Sequence, residues 1–412
     1  VTVLVSSLVA RTQWLPEAAD PLAALAPGGF AWLHDGCGFA TAGVAARVAV
    51  GRGRDRLARA AAAAAAVLEA VAVDDEVGQP GTGPLVVGAV PFSDGHGGEL
   101  VVPARVVGRT AEGRGWVTEV VPEGAEPAAA PPARSRPAPD PRQVVVSADG
   151  GRPAFCTAVS MALERIGAGS LQKVVLARQV AVEADIPFTV AEVVDRLRRQ
   201  HPACFTFAAG GFVGASPELL ARRQGLDVCS RPMAGSTRRG GDEVEDDRLV
   251  AALSSSSKDL AEHALVVDAV RAALAPVCEE VDAGSPEVVR LPTVSHLAST
   301  VRGRLRHPAP SALALAGLLH PTPAVGGLPR QAALDAIAEL EDFDRGLYAG
   351  PVGWVDRRGE GEWAVALRCA RLDGRTAVLA AGAGIVAGSD PEAEWAETQA
   401  KLEPMLRALV RV

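Results

Sequence analysis

The chain has 412 residues, enough for one large domain or two ordinary ones with a full apolar core. Hydrophobic content of 48% beside 22% charged residues is that of a folded globular protein, and a net charge of -8 argues against a general nucleic-acid binder. No apolar stretch approaches the roughly 20 residues of a membrane span, and residues 1–10 lack the basic residue that opens a signal peptide, so a cytoplasmic protein is expected.

The six cysteines, at 37, 156, 204, 229, 278 and 369, are scattered and form no CxxC pair. That pattern fits reduced core thiols, with neither a zinc site nor a disulfide framework. Of the 41 basic residues only Lys173, Lys258 and Lys401 are lysines. Surface cations here default to Arg, so a retained lysine points to a place where Arg cannot serve. Arg stays protonated, whereas a buried Lys can give up its proton and act as a base.

Residues 1 to about 120 alternate short apolar runs with turns. Strands are expected at 30–33, 44–50 and 85–90, and an alanine-rich helix at 54–73. His34 and His96 stand alone, and no catalytic constellation is visible. Residues 122–142 carry seven prolines and read as an exposed linker or long loop. The pattern then sharpens: a helix at 155–166, a β-rich run at 171–182 holding Lys173, and a helix at 189–199. Strands at 204–209, 211–214, 219–223 and 228–233 follow, with Glu218 just ahead of the third. Residues 238–247 read as a charged loop. Ser256 or Ser257 caps a helix to about 275, on which Lys258 and Glu262 fall at i, i+4 and read as a surface ion pair.

A strand at 288–295 leads to His296, a short helix spans 312–319, and residues 320–329 form a shaped Pro/Gly loop. A helix at 330–341 precedes three strands at 347–355, 362–372 and 376–381, which place Tyr348 and Arg368 on neighbouring strands. The last strand is expected to break at Gly382, Gly384 and Gly388. Ser389 or Asp390 then caps a helix with Pro391 in its first turn. Glu394, Glu397 and Lys401 fall on one face of that helix.

Carboxylates with no His or Cys among them suit a hard cation, and too few are present for a calcium cage. Glu262, Glu394 and Glu397 therefore read as a Mg²⁺ set completed by water and substrate. An Arg fork such as Arg368 grips a carboxylate. Lys173 and Glu218 are a candidate base and acid. The residues alone describe a magnesium-dependent enzyme acting on a small polyanion.

Nine segments carry a resemblance: Leu171-Gln-Lys-Val-Val-Leu-Ala-Arg178, Gly214-Ala-Ser-Pro-Glu-Leu-Leu220, Arg231-Pro-Met-Ala-Gly-Ser236, Ser257-Lys-Asp-Leu-Ala-Glu-His263, Ser295-His-Leu297, Leu319-His-Pro-Thr-Pro-Ala-Val325, Tyr348-Ala-Gly-Pro-Val-Gly-Trp354, Ala366-Leu-Arg-Cys-Ala370 and the 381–401 stretch. In this order they resemble the chorismate-utilising enzymes, in their isochorismate synthase branch. The resemblance implies an α+β protein, a single large chorismate-binding fold like that of anthranilate synthase component I. Mostly antiparallel sheets pack face to face with helices outside. Residues 1–121 would add strands to that body, 122–142 would be a linker or surface loop, and 143–412 the catalytic part.

The resemblance also implies roles. Lys173 would activate water for attack at C2 of the ring, and Glu218 would protonate the departing C4 hydroxyl. Burial can supply the depressed lysine pKa and the protonated glutamate this needs. Glu262 and Glu397, with Glu394, would hold Mg²⁺ against the ring carboxylate. Arg368 and Tyr348 would grip the enolpyruvyl carboxylate. Gly235, Ser236 and Gly382 would supply backbone or hydroxyl donors, Lys401 positive charge, and His296, Ala324 and Val325 the ring pocket. The product would feed menaquinone or siderophore biosynthesis. Anthranilate-type relatives use ammonia and a glutaminase partner and generally lack a lysine at the Lys173 position, so no glutaminase subunit is expected here. A monomer or weak homodimer is expected. The alternatives are a salicylate synthase, which goes on to eliminate pyruvate, and a catalytically silent chorismate-binding homologue.

Overall fold

The computed structural model describes residues 7–17, 19–126, 139, 141–148 and 150–410. The β-rich run around Lys173 becomes the strand Lys173–Ala184, rich in the β-branched residues that suit a pleated, buried surface. It pairs antiparallel with Thr376–Val386 in an unbroken register from Lys173↔Val386 to Glu183↔Thr376. Around this pair grows a large sheet, with thirteen strands among the described residues. Its other wing comes from the first part of the chain, joined where Phe207 of Phe205–Ala209 faces Trp32 of Phe30–His34. A second sheet has nine strands among the described residues and is joined in the same way, with Gly353 of Pro351–Asp356 facing Gly88 of Leu85–Ala89.

The two sheets pack face to face. Trp32 of the large sheet donates its indole N–H to Glu362 of the second at 2.8 Å, and the Phe39 ring meets Trp354 edge-on at 5.9 Å. Trp32, Phe207, Leu85 and Trp363 are buried in one apolar cluster between them. On the outer face of the large sheet, Val193, Val194 and Leu197 of the helix Val190–Gln200 join Met405 and Leu409 of the helix Pro391–Leu409 over Val180, Val213 and Leu379. A third sheet of Met233–Arg238, Val294–Ala298 and Glu287–Arg290 packs under the helix Ser257–Leu274. The molecule is therefore α+β, with helices outside packed sheets. No helix of the described residues is long and apolar enough to cross a membrane, and the six cysteines are free. Most of the predicted linker, 127–138 and 140, lies outside the described residues.

Several expectations are corrected. The alanine-rich helix is Arg56–Glu69, and Ala72–Asp75 is instead a strand pairing in parallel with Leu8–Trp14, so tertiary pairing overrides helix propensity. The supposed charged loop holds the start of a helix, Glu243–Ser255. Asp242 caps it by accepting from the Glu245 N–H at 2.8 Å, and its acidic first turn favours the dipole. The single strand expected at 288–295 is two, broken around Pro292, which cannot donate to a ladder; His296 sits inside the second. Tyr348 lies on the turn before Pro351–Asp356, and Arg368 in the break between Gly361–Val365 and Cys369–Asp373, so neither is on a strand. The glycines at 382 and 384 do not break the last strand, which continues to Val386 on the ladder of its partner.

Candidate active site

The ladder register explains those two glycines. Val175 faces Gly384 and Ala177 faces Gly382, on the same sheet face as Lys173. A Cβ on Gly384 would stand 2.7 Å from Glu262 Oε1 and 3.2 Å from Lys173 Cε. One on Gly382 would stand 3.2 Å from the Tyr348 hydroxyl. Glycine thus opens a cavity of about 280 Å³ directly over the sheet. The third sheet contributes Gly235, Ser236 and His296 to its wall. The Ser257–Leu274 helix contributes Lys258, Asp259 and Glu262, and the last helix Glu394, Glu397 and Lys401. Glu218, Tyr348 and Arg368 close it from the strand connections, and Ala324 and Val325 from the Pro/Gly loop. All fourteen residues singled out in the sequence line this one cavity.

Lys173 is 1% exposed and its Nζ lies 2.8 Å from Glu262 Oε1. Glu262 therefore does not pair with Lys258 along its own helix; Lys258 Nζ instead stands 4.0 Å from Glu394 Oε1. Burial pushes the Glu218 carboxyl up to about 7, against the lowering effect of Lys173, Arg368 and Lys401. Near neutral pH it can hold a proton.

Arg368 has φ 49, a left-handed conformation that costs energy for a residue with a side chain. Its guanidinium lies 2.8 Å from His296 Nε2. Arg can only donate, so Nε2 accepts and the ring proton belongs on Nδ1. Burial, with Arg368 and Lys401, brings His296 down to about 3, so it is neutral. Glu397 accepts from Lys401 Nζ at 2.5 Å and from the Ser236 hydroxyl. Burial raises Glu397, but the charge and hydrogen bond of Lys401 outweigh it and hold it low. Lys401 also donates to the Gly382 carbonyl at 2.9 Å. Burial and the charge of Glu397 push Glu394 up. Ser236 and Gly382 are thus engaged within the protein.

Among the described residues no three His, Cys, Asp or Glu groups are gathered closely enough to hold a metal ion. Lysine ammonium groups approach all three candidate carboxylates. The donor set nonetheless suits a hard cation: Glu262, Glu394 and Glu397 line one cavity, offer only oxygen, and include a carboxyl, Glu394, raised by burial and then by the negative charge of Glu397.

Sequence reasoning passed over Gly384 as a site residue and read Lys258 as a surface cation. The spacing of Gly382 and Gly384, two apart in an apolar run, signals a strand face stripped of side chains. For Lys258 the scarcity of lysine was the signal: all three lysines of the chain line the cavity.

Residues 109–410 match the family described as chorismate binding enzyme. The isochorismate synthase DhbC of Bacillus subtilis is 41% identical over 357 residues, covering 83% of this chain and 84% of the relative. The menaquinone-specific isochorismate synthase MenF of Escherichia coli superposes with a TM-score of 0.81 at 25% identity, over 98% of this chain and 94% of that one. Anthranilate synthase component I of Streptococcus pneumoniae shares the fold, with a TM-score of 0.68 at 23% identity over 96% of this chain and 92% of its own. The chain belongs to the chorismate-binding enzyme family.

Proposed function

We propose that this protein is an isochorismate synthase that converts chorismate to isochorismate with Mg²⁺. The observation that supports the reading is that one cavity holds a buried lysine, Lys173, and a buried carboxyl, Glu218, raised to about 7. Water is a poor nucleophile and hydroxide a poor leaving group, so each end of the reaction needs its own proton transfer. Lys173 takes a proton from water as the water oxygen bonds to ring carbon C2. The double bonds shift, the C4–O bond breaks, and Glu218 delivers its proton to the departing hydroxyl. One water enters and one leaves, so the net change is an isomerisation.

Arg368, held by His296, and Tyr348, which lines the same cavity, hold the enolpyruvyl carboxylate; the neutral ring of His296 leaves the Arg368 charge available for it. Glu262, Glu394 and Glu397 would hold Mg²⁺, which when bound neutralises and orients the ring carboxylate. Lys401 adds charge beside that carboxylate. The nucleophile is water, so no glutaminase subunit is required. The product suits a menaquinone branch or one leading to catechol or salicylate siderophores. Turnover in ¹⁸O-labelled water tests the reading. One label should appear in isochorismate, at C2; unlabelled product would overturn the hydroxyl-exchange mechanism.

A further inference from the structure

Among the described residues, the outer edge of the Lys173–Ala184 strand has no continuous partner strand. At its start Gly327–Leu328 pairs with Val174 and Lys173, and at its end Val144–Ser147 pairs with residues 181–184. The Val175 N–H still donates to the Gly326 carbonyl at 2.8 Å, but beyond it, at the Val175 carbonyl and the Ala177 N–H, two side chains stand where a strand would. The Arg345 guanidinium donates to the Val175 carbonyl at 2.8 Å, and a Glu341 carboxylate oxygen accepts from the Ala177 N–H at 2.8 Å. Arg345 also donates to the Val325 carbonyl at 2.8 Å. Arg345 and Glu341 bond each other through Nε at 2.8 Å, and both side chains are 3% exposed. The Phe92 ring covers the guanidinium at 4.4 Å. The ion pair thus ties together the two valines that line the cavity, and Val175 lies two residues from Lys173 on the same face.

We infer that Glu341 and Arg345 are positioning residues, which replace a missing strand and set the cavity wall at Val325 and the backbone carrying Lys173. The inference rests on this cavity being the reaction centre proposed above. An ion pair that merely stabilised the fold would not need a guanidinium spanning two backbone segments. The fork reaches the Val325 and Val175 carbonyls from different nitrogens, which a lysine's point charge cannot reproduce.

Two variants test this, R345K and E341M/R345L. R345K keeps a charge beside Glu341, and the double variant removes both buried charges together, which a fold tolerates better than stranding one. In R345K the thermal midpoint should stay near that of the native protein while kcat falls about tenfold to a hundredfold, the scale of a 1 Å misplacement. Amide exchange should quicken about tenfold in segments 173–178 and 322–328 of the double variant, and not in the last helix. Native kcat and KM in R345K, or stability and activity moving in parallel across the variants, would overturn the inference. So would unchanged exchange in both segments. If the native protein fails to turn over chorismate, that result counts against the proposed function, and the exchange measurement still decides whether the ion pair holds the two wall segments.

Discussion

Lys173 Nζ lies 2.8 Å from Glu262 Oε1, and a Cβ placed on Gly384 would stand 2.7 Å from that same oxygen. The candidate base, a candidate metal carboxylate and a bare stretch of strand therefore share one small volume. Gly384→Ala should force the lysine and glutamate apart without touching the sheet ladder. We expect kcat to fall about a hundredfold, as for a misplacement of 1 Å, with little loss of secondary structure. Steady-state kinetics beside circular dichroism checks this, and native kcat in the variant would show that the contact is unimportant.

Lys173→Ala should lower kcat by about 10²–10⁴, the usual worth of one proton transfer. Substrate binding, followed by calorimetry, should be largely retained. Lys173→Arg should fare no better, because a guanidinium cannot give up its proton. Activity in the arginine variant comparable with the native enzyme would remove Lys173 from the role of base.

Glu218 makes opposite predictions for rate and stability. As the acid it must carry a proton, so kcat/KM should decline as pH rises through about 7. Its folded-state pKa is raised from the ordinary 4.5, so the folded protein holds that proton more tightly than the unfolded chain does. The stability that Glu218 contributes is fully present below pH 4.5 and is lost as pH rises through about 7. Glu218→Gln should therefore be inactive yet more stable than the native protein at pH 8, by about 1–3 kcal/mol, with the gap closing at pH 4.5. Denaturant unfolding at the two pH values checks the sign; a less stable variant at pH 8 would contradict the burial argument.

Chelation should abolish turnover, and Mg²⁺ should restore it. Glu394→Gln and Glu397→Gln should each weaken divalent-ion binding in a direct titration followed by Mn²⁺ resonance. Full activity in excess chelator would dismiss the metal from the reaction.

The candidate site was more legible than the path of the chain around it. Lys173, Glu218 and Glu262 stand in short segments whose residue types carry the chemistry, and the cavity gathers them from separate elements. The strand 376–386 misled, because Gly382 and Gly384 read as loop when they are strand residues emptied to make room. Local propensity cannot see a ladder supplied by a partner strand about 200 residues away in sequence. Ala72–Asp75 was hidden for the same reason, since its partner is Leu8–Trp14. The helix Glu243–Ser255 was missed although its Asp242 cap and acidic first turn were readable. The hold of Arg345 on Val175 and Val325 leaves no sequence periodicity, because it joins a turn to a strand edge.

The most direct measurement is chromatography of the products from chorismate and Mg²⁺, run beside a pyruvate-release assay. The expected products are isochorismate in equilibrium with chorismate, without stoichiometric pyruvate. Pyruvate and salicylate in equal amounts would reassign the protein as a salicylate synthase, and unconsumed chorismate would rule out both activities.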